Sequence, residues 1–246
     1  MIQLENICKQ YTNHNHTVRA VDNVSFSVAP NERVGIAGGS GSGKSTLLRL
    51  IALLEKPTSG NLWLFGEDVA FIQNHTDIYR SMQMMFQNPL AVIPPRMNIE
   101  AFLLEPYINY GLMDVAAAKD DIRKWMQRVD LLESTVNKYP HEVSGGQLQR
   151  VVLARIMLMN PKLVLFDEPT SALDAVNQKL VLDLLQKIYT EQPFGYVFVS
   201  HDIGLLQAVT DRIIVMKDGQ IVETIESKRL KEAVHPYTQA LVEASV

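Results

Sequence analysis

The stretch GGSGSGKS, Gly38 to Ser45, decides the fold. It is a complete G-x-x-x-x-G-K-[ST] pattern, preceded by the short run RVGIA (Arg33 to Ala37) and followed by TLLRLIALL. The spacing predicts a strand, a glycine-rich loop and a helix that ends before Lys56 and Pro57. In that setting consecutive backbone N–H groups can wrap phosphate oxygens, Lys44 neutralises charge on the β and γ oxygens, and Ser45 offers a hydroxyl to Mg2+. A glycine-rich turn with an incidental lysine is the bland alternative, and the strand–loop–helix order weighs against it. A nucleoside triphosphate is the expected ligand.

Working outward, Val24, Phe26 and Val28 alternate with polar residues, and NLWLFG and MQMMFQ also read as strands. From Asn88-Pro89 to about Asn160 the patterns are helical, including a helix across Val115 to Leu132, and Pro94, Pro95 and Pro140 punctuate them. Strand and helix then alternate again: LVLF, the periodic Val176 to Ile188, YVFVS, and IIVMKDGQIVE as a hairpin around Asp218-Gly219. This order predicts an α/β fold with a mixed sheet flanked by helices and an antiparallel N-terminal β part. The core is expected over about 1–87 and 161–226, an inserted helical subdomain over about 88–160, and a helical tail over about 227–246.

Composition narrows the class. With 246 residues, 47% of them hydrophobic, the chain can bury one large core. A net charge of −4 argues against broad electrostatic binding to nucleic acid or anionic lipid. Cys8 is the single cysteine, which suits a reducing compartment. The start MIQLENICKQ carries Glu5 and no long apolar run, so it does not read as a signal peptide. No apolar stretch reaches membrane-spanning length, since VVLARIMLMNPKLVLF is broken by Arg155, Asn160 and Lys162. A soluble cytosolic protein that can dock on a membrane partner is expected.

Three strand ends carry further chemistry. LVLFDE, Leu163 to Glu168, finishes an apolar strand with two acids: Asp167 suits Mg2+, usually through water, and Glu168 suits polarising an attacking water. VFVSHD ends on His201, placed to reach a γ-phosphate, although a packed or capping histidine is the ordinary alternative. Gln87 closes MQMMFQ, and its amide could sense Mg2+ or water or be a plain strand-end polar group. His14 and His16 in NHNH invite a metal reading, but with no third ligand in reach a solvated loop is preferred.

VSGGQ, Val143 to Gln147, is a different kind of signal. Ser144 suits the N-cap of a helix running through LQRVVLARIMLM, with apolar Leu148, Val151, Val152 and Ile156 on one face. Two glycines in the opening turn, Gly145 and Gly146, each cost about 1 kcal/mol relative to alanine, so close approach by another group is expected there. A helix N-terminus suits an anion, yet no lysine follows to complete a phosphate cradle.

Taken together, GGSGSGKS, Gln87, VSGGQ, LVLFDE, SALD (Ser171 to Asp174) and His201 resemble the ATP-binding subunit of an ATP-binding-cassette (ABC) transporter, over almost the whole chain. The resemblance implies a P-loop NTPase core of RecA-like type, with ATP and Mg2+ as cofactors and ATP hydrolysis as the activity. It implies nucleotide contacts at Gly38, Gly39, Ser40, Gly41, Ser42, Gly43, Lys44, Ser45 and Thr46, with Tyr11 stacked on adenine. Glu168, His201 and Gln87 would be catalytic, and Ser45, Gln87 and Asp167 would serve Mg2+. In the family two cassettes pair head to tail, so Ser144, Gly145, Gly146, Gln147 and Asp174 would contact ATP held by the other cassette's P-loop, which supplies the missing lysine.

Finer stretches, QNPLAVIPPRM, LLEPY, YPHEVSGGQLQR and HPYTQAL (His235 to Leu241), resemble the importer class for peptides, nickel and metal chelates. HPYTQAL taken alone is simply a helix with Pro236 in its first turn. Val143 stands where Leu or Phe is more usual, AVIPP replaces an SLNP-like stretch, and the short form, without the cysteine cluster that some peptide-importer subunits carry, leads to the expectation of nickel or a metal chelate somewhat over longer peptides. The resemblance implies two transmembrane permease subunits, a second ATPase that is more often a different chain than a second copy, an extracytoplasmic solute-binding protein acting through the permeases, and a peripheral position on the cytoplasmic face of the membrane. Exporter ATPases and soluble ABC proteins of ribosomes or nucleic acid are the alternatives. Exporters often carry fused membrane helices, and the soluble proteins often carry two cassettes.

Overall fold

The computed structural model describes residues 1–13 and 16–245, with the side chains of Asn13, His16 and Leu90 left aside. His14 of the NHNH stretch lies outside the described residues. The strands are β1 (Ile2–Asn13), β2 (His16–Val28), β3 (Arg33–Ala37), β4 (Ser59–Leu64), β5 (Glu67–Asp68), β6 (Met82–Met85), β7 (Leu163–Asp167), β8 (Gly195–Ser200), β9 (Arg212–Lys217) and β10 (Gln220–Glu226). The helices are α1 (Lys44–Ile51), α2 (Thr76–Ser81), α3 (Ile99–Asn109), α4 (Val115–Arg128), α5 (Gly145–Leu158), α6 (Ala175–Glu191), α7 (Ile203–Val209) and α8 (Pro236–Glu243). They fall into two compact units, one of Met1–Gln83, Lys162–Glu168 and Pro193–Val246, the other of Met84–Pro161 and Pro169–Gln192.

In the first unit an antiparallel sheet has the order β2-β1-β4-β5, and a second sheet has the order β10-β9-β3-β8-β7-β6, with β6 crossing into the second unit. β3, β8 and β7 are parallel and carry apolar side chains on both faces, as parallel strands covered by helices must. Phe166 meets Tyr196 edge-on at 5.6 Å and Phe198 at 5.4 Å, while Leu47, Leu48, Leu50 and Ile51 of α1 are buried. Gly35 lets α7 lie close, because a Cβ there would stand 3.1 Å from Thr210 Oγ1 and 3.3 Å from Leu206. The register sets Ala37 beside Ser200 and Asp167 beside Val199. The three chemistry-bearing segments therefore leave the sheet at one edge, the carboxyl ends of its parallel strands.

In the second unit each long helix opens on a polar cap. Asn98 accepts from Ala101 N at 2.9 Å, and Asp114 accepts from Ala116 N and Ala117 N at 2.9 and 3.0 Å. The unit buries Phe102, Leu103 and Tyr107 of α3, Ile122, Trp125 and Met126 of α4, and Leu148, Val151 and Val152 of α5. Two features differ from the sequence reading. The helix expected to reach Leu132 stops at Arg128, because Asp130 turns left-handed (φ 52°) and Arg150 of α5 donates to Val129 O and Asp130 O at 3.2 and 2.8 Å. Residues 169–192 group with the helical unit rather than with the core, since α6 packs on α5 and buries Val181, Leu184, Leu185 and Ile188.

Candidate nucleotide site

The loop between β3 and α1 is built by glycines at left-handed backbone. Gly43 (φ 99°) is the N-cap of α1, and a Cβ there would stand 2.2 Å from Ala20 O. Gly38 (φ 154°) is equally confined, with Met216 O at 2.3 Å from the same position. The loop is braced from outside by the β9–β10 turn, where Gly219 N donates to Ser42 O at 3.1 Å and Gly219 O accepts from Asp22 N at 2.9 Å. Lys44 is 6% exposed and donates to Gly38 O and Gly39 O, both at 2.8 Å. Burial holds its pKa below the usual lysine value, and the carboxylates of Glu168 and Asp167 oppose that shift. An ammonium so desolvated gains from a nearby polyanion.

Ser45 Oγ donates to Asp167 Oδ1 at 3.0 Å. Burial pushes Asp167 above the ordinary carboxyl range, the Ser45 hydrogen bond opposes this, and Glu168 adds to it. This pair of hard oxygen donors beside a phosphate loop fits Mg2+, which takes one or two carboxyl or hydroxyl oxygens and completes its shell with phosphate and water. Among the described residues no group of three or more His, Cys, Asp or Glu could hold a metal, and Mg2+ shared with phosphates needs none.

Glu168 follows β7 with φ 46°, and its N–H donates to Val199 O at 3.1 Å. Left-handed backbone at a residue other than glycine is costly and collects at functional positions. His201, just past β8, brings Nδ1 to 3.3 Å from Glu168 Oε2. Acid and imidazole, expected separately at two strand ends, are therefore in contact. Tyr11 is 41% exposed, its hydroxyl donates to Glu55, and Lys9 Nζ lies 5.1 Å from its ring centre. Burial, then the Glu55 hydrogen bond, raise its pKa, while the Thr46 hydroxyl of α1 works the other way. The ring thus stands next to the phosphate-loop helix.

The second unit holds the remaining candidates. Ser144 caps α5 reciprocally: its Oγ accepts from Gln147 N at 3.3 Å and its N–H donates to Gln147 Oε1 at 3.0 Å. Gly145 is exposed, has no left-handed φ, and among the described residues no non-adjacent atom lies within 4 Å of where its Cβ would be. Gly146 is buried, and a Cβ there would stand 2.8 Å from Asn177 Oδ1. Asp174 caps α6 through Val176 N and Asn177 N, at 3.1 and 2.9 Å, and accepts from Asn177 Nδ2 at 2.7 Å. Those bonds, led by the Asn177 backbone, hold its carboxyl below the usual range. Gln87 donates to Ser171 Oγ at 3.3 Å.

Asn177 and Gln149 escaped the sequence reading. Asn177 joins Asp174 to the space left by Gly146, and buried Gln149 donates to Pro169 O, next in sequence to Glu168. Asn177 belongs to no short motif with a chemical role, and Gln149, within YPHEVSGGQLQR, has no role of its own in that reading. An asparagine three residues after an acid does hint at a capped turn.

A family model described as ABC transporter matches residues 21–171. The chain belongs to the ABC transporter family. ABC relatives include the oligopeptide transport ATP-binding protein AppF of Bacillus subtilis, 37% identical over 92% of this chain and 70% of that protein. The di/tripeptide transport ATP-binding protein DppF of Pseudomonas aeruginosa is 38% identical over 93% of this chain and 72% of that protein. Among solved structures, the ABC cassette MJ0796 in a dimeric post-hydrolysis state bound to ADP and Pi superposes with a TM-score of 0.83, at 31% identity, over 92% of this chain and 99% of that one. As an ABC cassette the chain binds and hydrolyses ATP. Among the described residues no helix is long and apolar enough to cross a membrane.

Proposed function

We propose that this chain is the ATPase subunit of a peptide importer, acting as one of two paired cassettes at the cytoplasmic face of a membrane, with two permease subunits and an extracytoplasmic binding protein as partners. Peptide is preferred to nickel or a metal chelate because AppF and DppF are named for oligopeptide and di/tripeptide transport. The observation that carries the pairing is Gly145: neither backbone conformation nor any neighbour among the described residues requires a glycine there. Close approach by a phosphate of the other cassette does.

In this reading the loop from Gly38 to Thr46 wraps the phosphates, with N–H groups other than Gly39's donating to them, and Lys44 turns from the Gly38 and Gly39 carbonyls to the β and γ oxygens. Tyr11 stacks on adenine. Ser45 and Asp167 hold Mg2+, which when bound offsets charge on those oxygens. Glu168 orients and polarises the attacking water, and His201, already in contact with Glu168, reaches the γ-phosphate. Gln87 of the second unit reports on Mg2+ or water. Ser144, Gly145, Gly146, Gln147 and Asp174 serve the ATP of the paired cassette. That partner is a homologous different chain, with a second copy as the alternative, and no nucleic acid takes part.

Mixing variants tests this. Ser144→Arg should leave the chain's own ATP affinity unchanged, while Lys44→Ala removes it; in a reconstituted pair the two defects should fall on opposite sites. With a different partner chain the matching changes are made there. Loss of ATP binding in Ser144→Arg itself places the contact in cis and refutes the pairing.

A further inference from the structure

The C-terminal segment reaches the phosphate loop through one hydroxyl. Tyr237, in the first turn of α8, accepts a hydrogen bond from Gly39 N at 2.8 Å. It does so from a fixed platform. Glu223 of β10 accepts from Val234 N and His235 N at 2.8 and 3.2 Å, His235 Nδ1 accepts from Tyr237 N at 3.2 Å, and Lys217 Nζ lies 5.2 Å from the Tyr237 ring centre. The β9–β10 hairpin that braces Ser42 through its turn therefore also carries the tail to Gly39.

Gly39 itself is an independent observation. It occupies an unspecified position of G-x-x-x-x-G-K-[ST], and its φ is not left-handed, so neither motif nor backbone asks for glycine there. A Cβ at Gly39 would meet one non-adjacent atom within 4 Å among the described residues, Tyr237 Oη at 3.1 Å. The carbonyl of the same residue accepts from Lys44 Nζ at 2.8 Å. A single residue thus joins the tail hydroxyl to the lysine that must engage the phosphates.

We propose that Tyr237 is a positioning residue of the ATPase site: by holding Gly39 N it keeps the opening of the phosphate loop in its binding shape, which makes the C-terminal helix part of the nucleotide site. The inference rests on ATP binding at the loop. Preorganisation of this kind lowers the ordering cost of binding and acts on ground state and transition state alike.

Tyr237→Phe removes the acceptor and keeps the ring over Lys217. A neutral hydrogen bond contributes enough for the dissociation constant of a fluorescent ATP analogue, and the KM for ATP of the reconstituted complex, to rise about 2- to 10-fold, with kcat unchanged. Gly39→Ala presses a methyl group on the hydroxyl and should weaken the analogue in the native background more than in Tyr237→Phe, a non-additivity that a remote structural role does not produce. Unchanged analogue affinity and KM in Tyr237→Phe, with or without a lower Tm, overturns the proposal. Wild-type chain that fails to bind the analogue, or Lys44→Ala chain that binds it equally well, defeats the ATP-binding reading and the inference with it.

Discussion

Gly145→Ala separates the two reasons a helix can begin with a glycine. In the isolated chain the substitution should stabilise. Gly145 takes the first helical position of α5, its φ is not left-handed, and a Cβ meets no non-adjacent atom within 4 Å among the described residues. Replacing glycine by alanine at a compatible site gains about 0.4–1 kcal/mol by restricting the unfolded chain. In a domain of this size that is a rise in Tm of roughly 1–4 °C. In the paired complex the same methyl group should hold the opposing γ-phosphate off the helix N-terminus. A misplacement of about 1 Å can cost about 100-fold in rate, so turnover should fall by that order. The assay is differential scanning calorimetry of the chain alone beside steady-state phosphate release by the assembled transporter. Gly146→Ala is the contrast, because its methyl group would stand 2.8 Å from Asn177 Oδ1 and disturb the Asp174 cap as well. If Gly145→Ala lowers Tm, or leaves turnover intact, the argument from open space is wrong.

Glu168→Gln removes the carboxylate proposed as the base; ATP affinity should hold while turnover falls about 10² to 10⁴-fold, read by nucleotide titration beside phosphate release. Asp167→Asn should abolish Mg2+-dependent hydrolysis yet raise the Tm of the nucleotide-free chain at neutral pH. The sign follows from the raised pKa of Asp167: such an acid destabilises the fold once charged, its favourable contribution being complete below about pH 4 and lost as pH rises through the raised value. The gap in Tm between Asp167→Asn and wild type should therefore close in acid, as a pH series of thermal melts will show. If a permease docks on the proline-rich segment after Gln87, Val92→Asp should lower peptide uptake while ATP-analogue binding stays normal; cross-links that place the permease elsewhere exclude that contact.

Much of this site was legible because its residues work through local geometry. Gly43 at left-handed φ, Lys44 opening α1 and Ser144 capping α5 each follow from neighbours in sequence, and so does the turn at Asp218 and Gly219, both with positive φ. The strand ends at Asp167 and His201 could be read from apolar runs that stop on a polar group. What lay outside reach was tertiary. β1 does not alternate cleanly, because its pairings with β2 and β4 shift register at bulges and Asn6 turns left-handed. The end of α4 depends on an arginine of the next helix, Arg150 of α5, and the grouping of α6 depends on α5. Tyr237 meets Gly39 across 198 residues, a pairing that no local period encodes.

The β9–β10 turn looks like a place to attach a fluorophore or splice in an affinity peptide, since Asp218 is exposed at a hairpin tip. Its companion Gly219 is buried, with its N–H committed to Ser42 O and its carbonyl to Asp22 N. A probe inserted there would report on, and impair, the very loop that grips nucleotide, so a label meant to be silent belongs elsewhere, for instance at Leu132, which is 77% exposed beyond the end of α4.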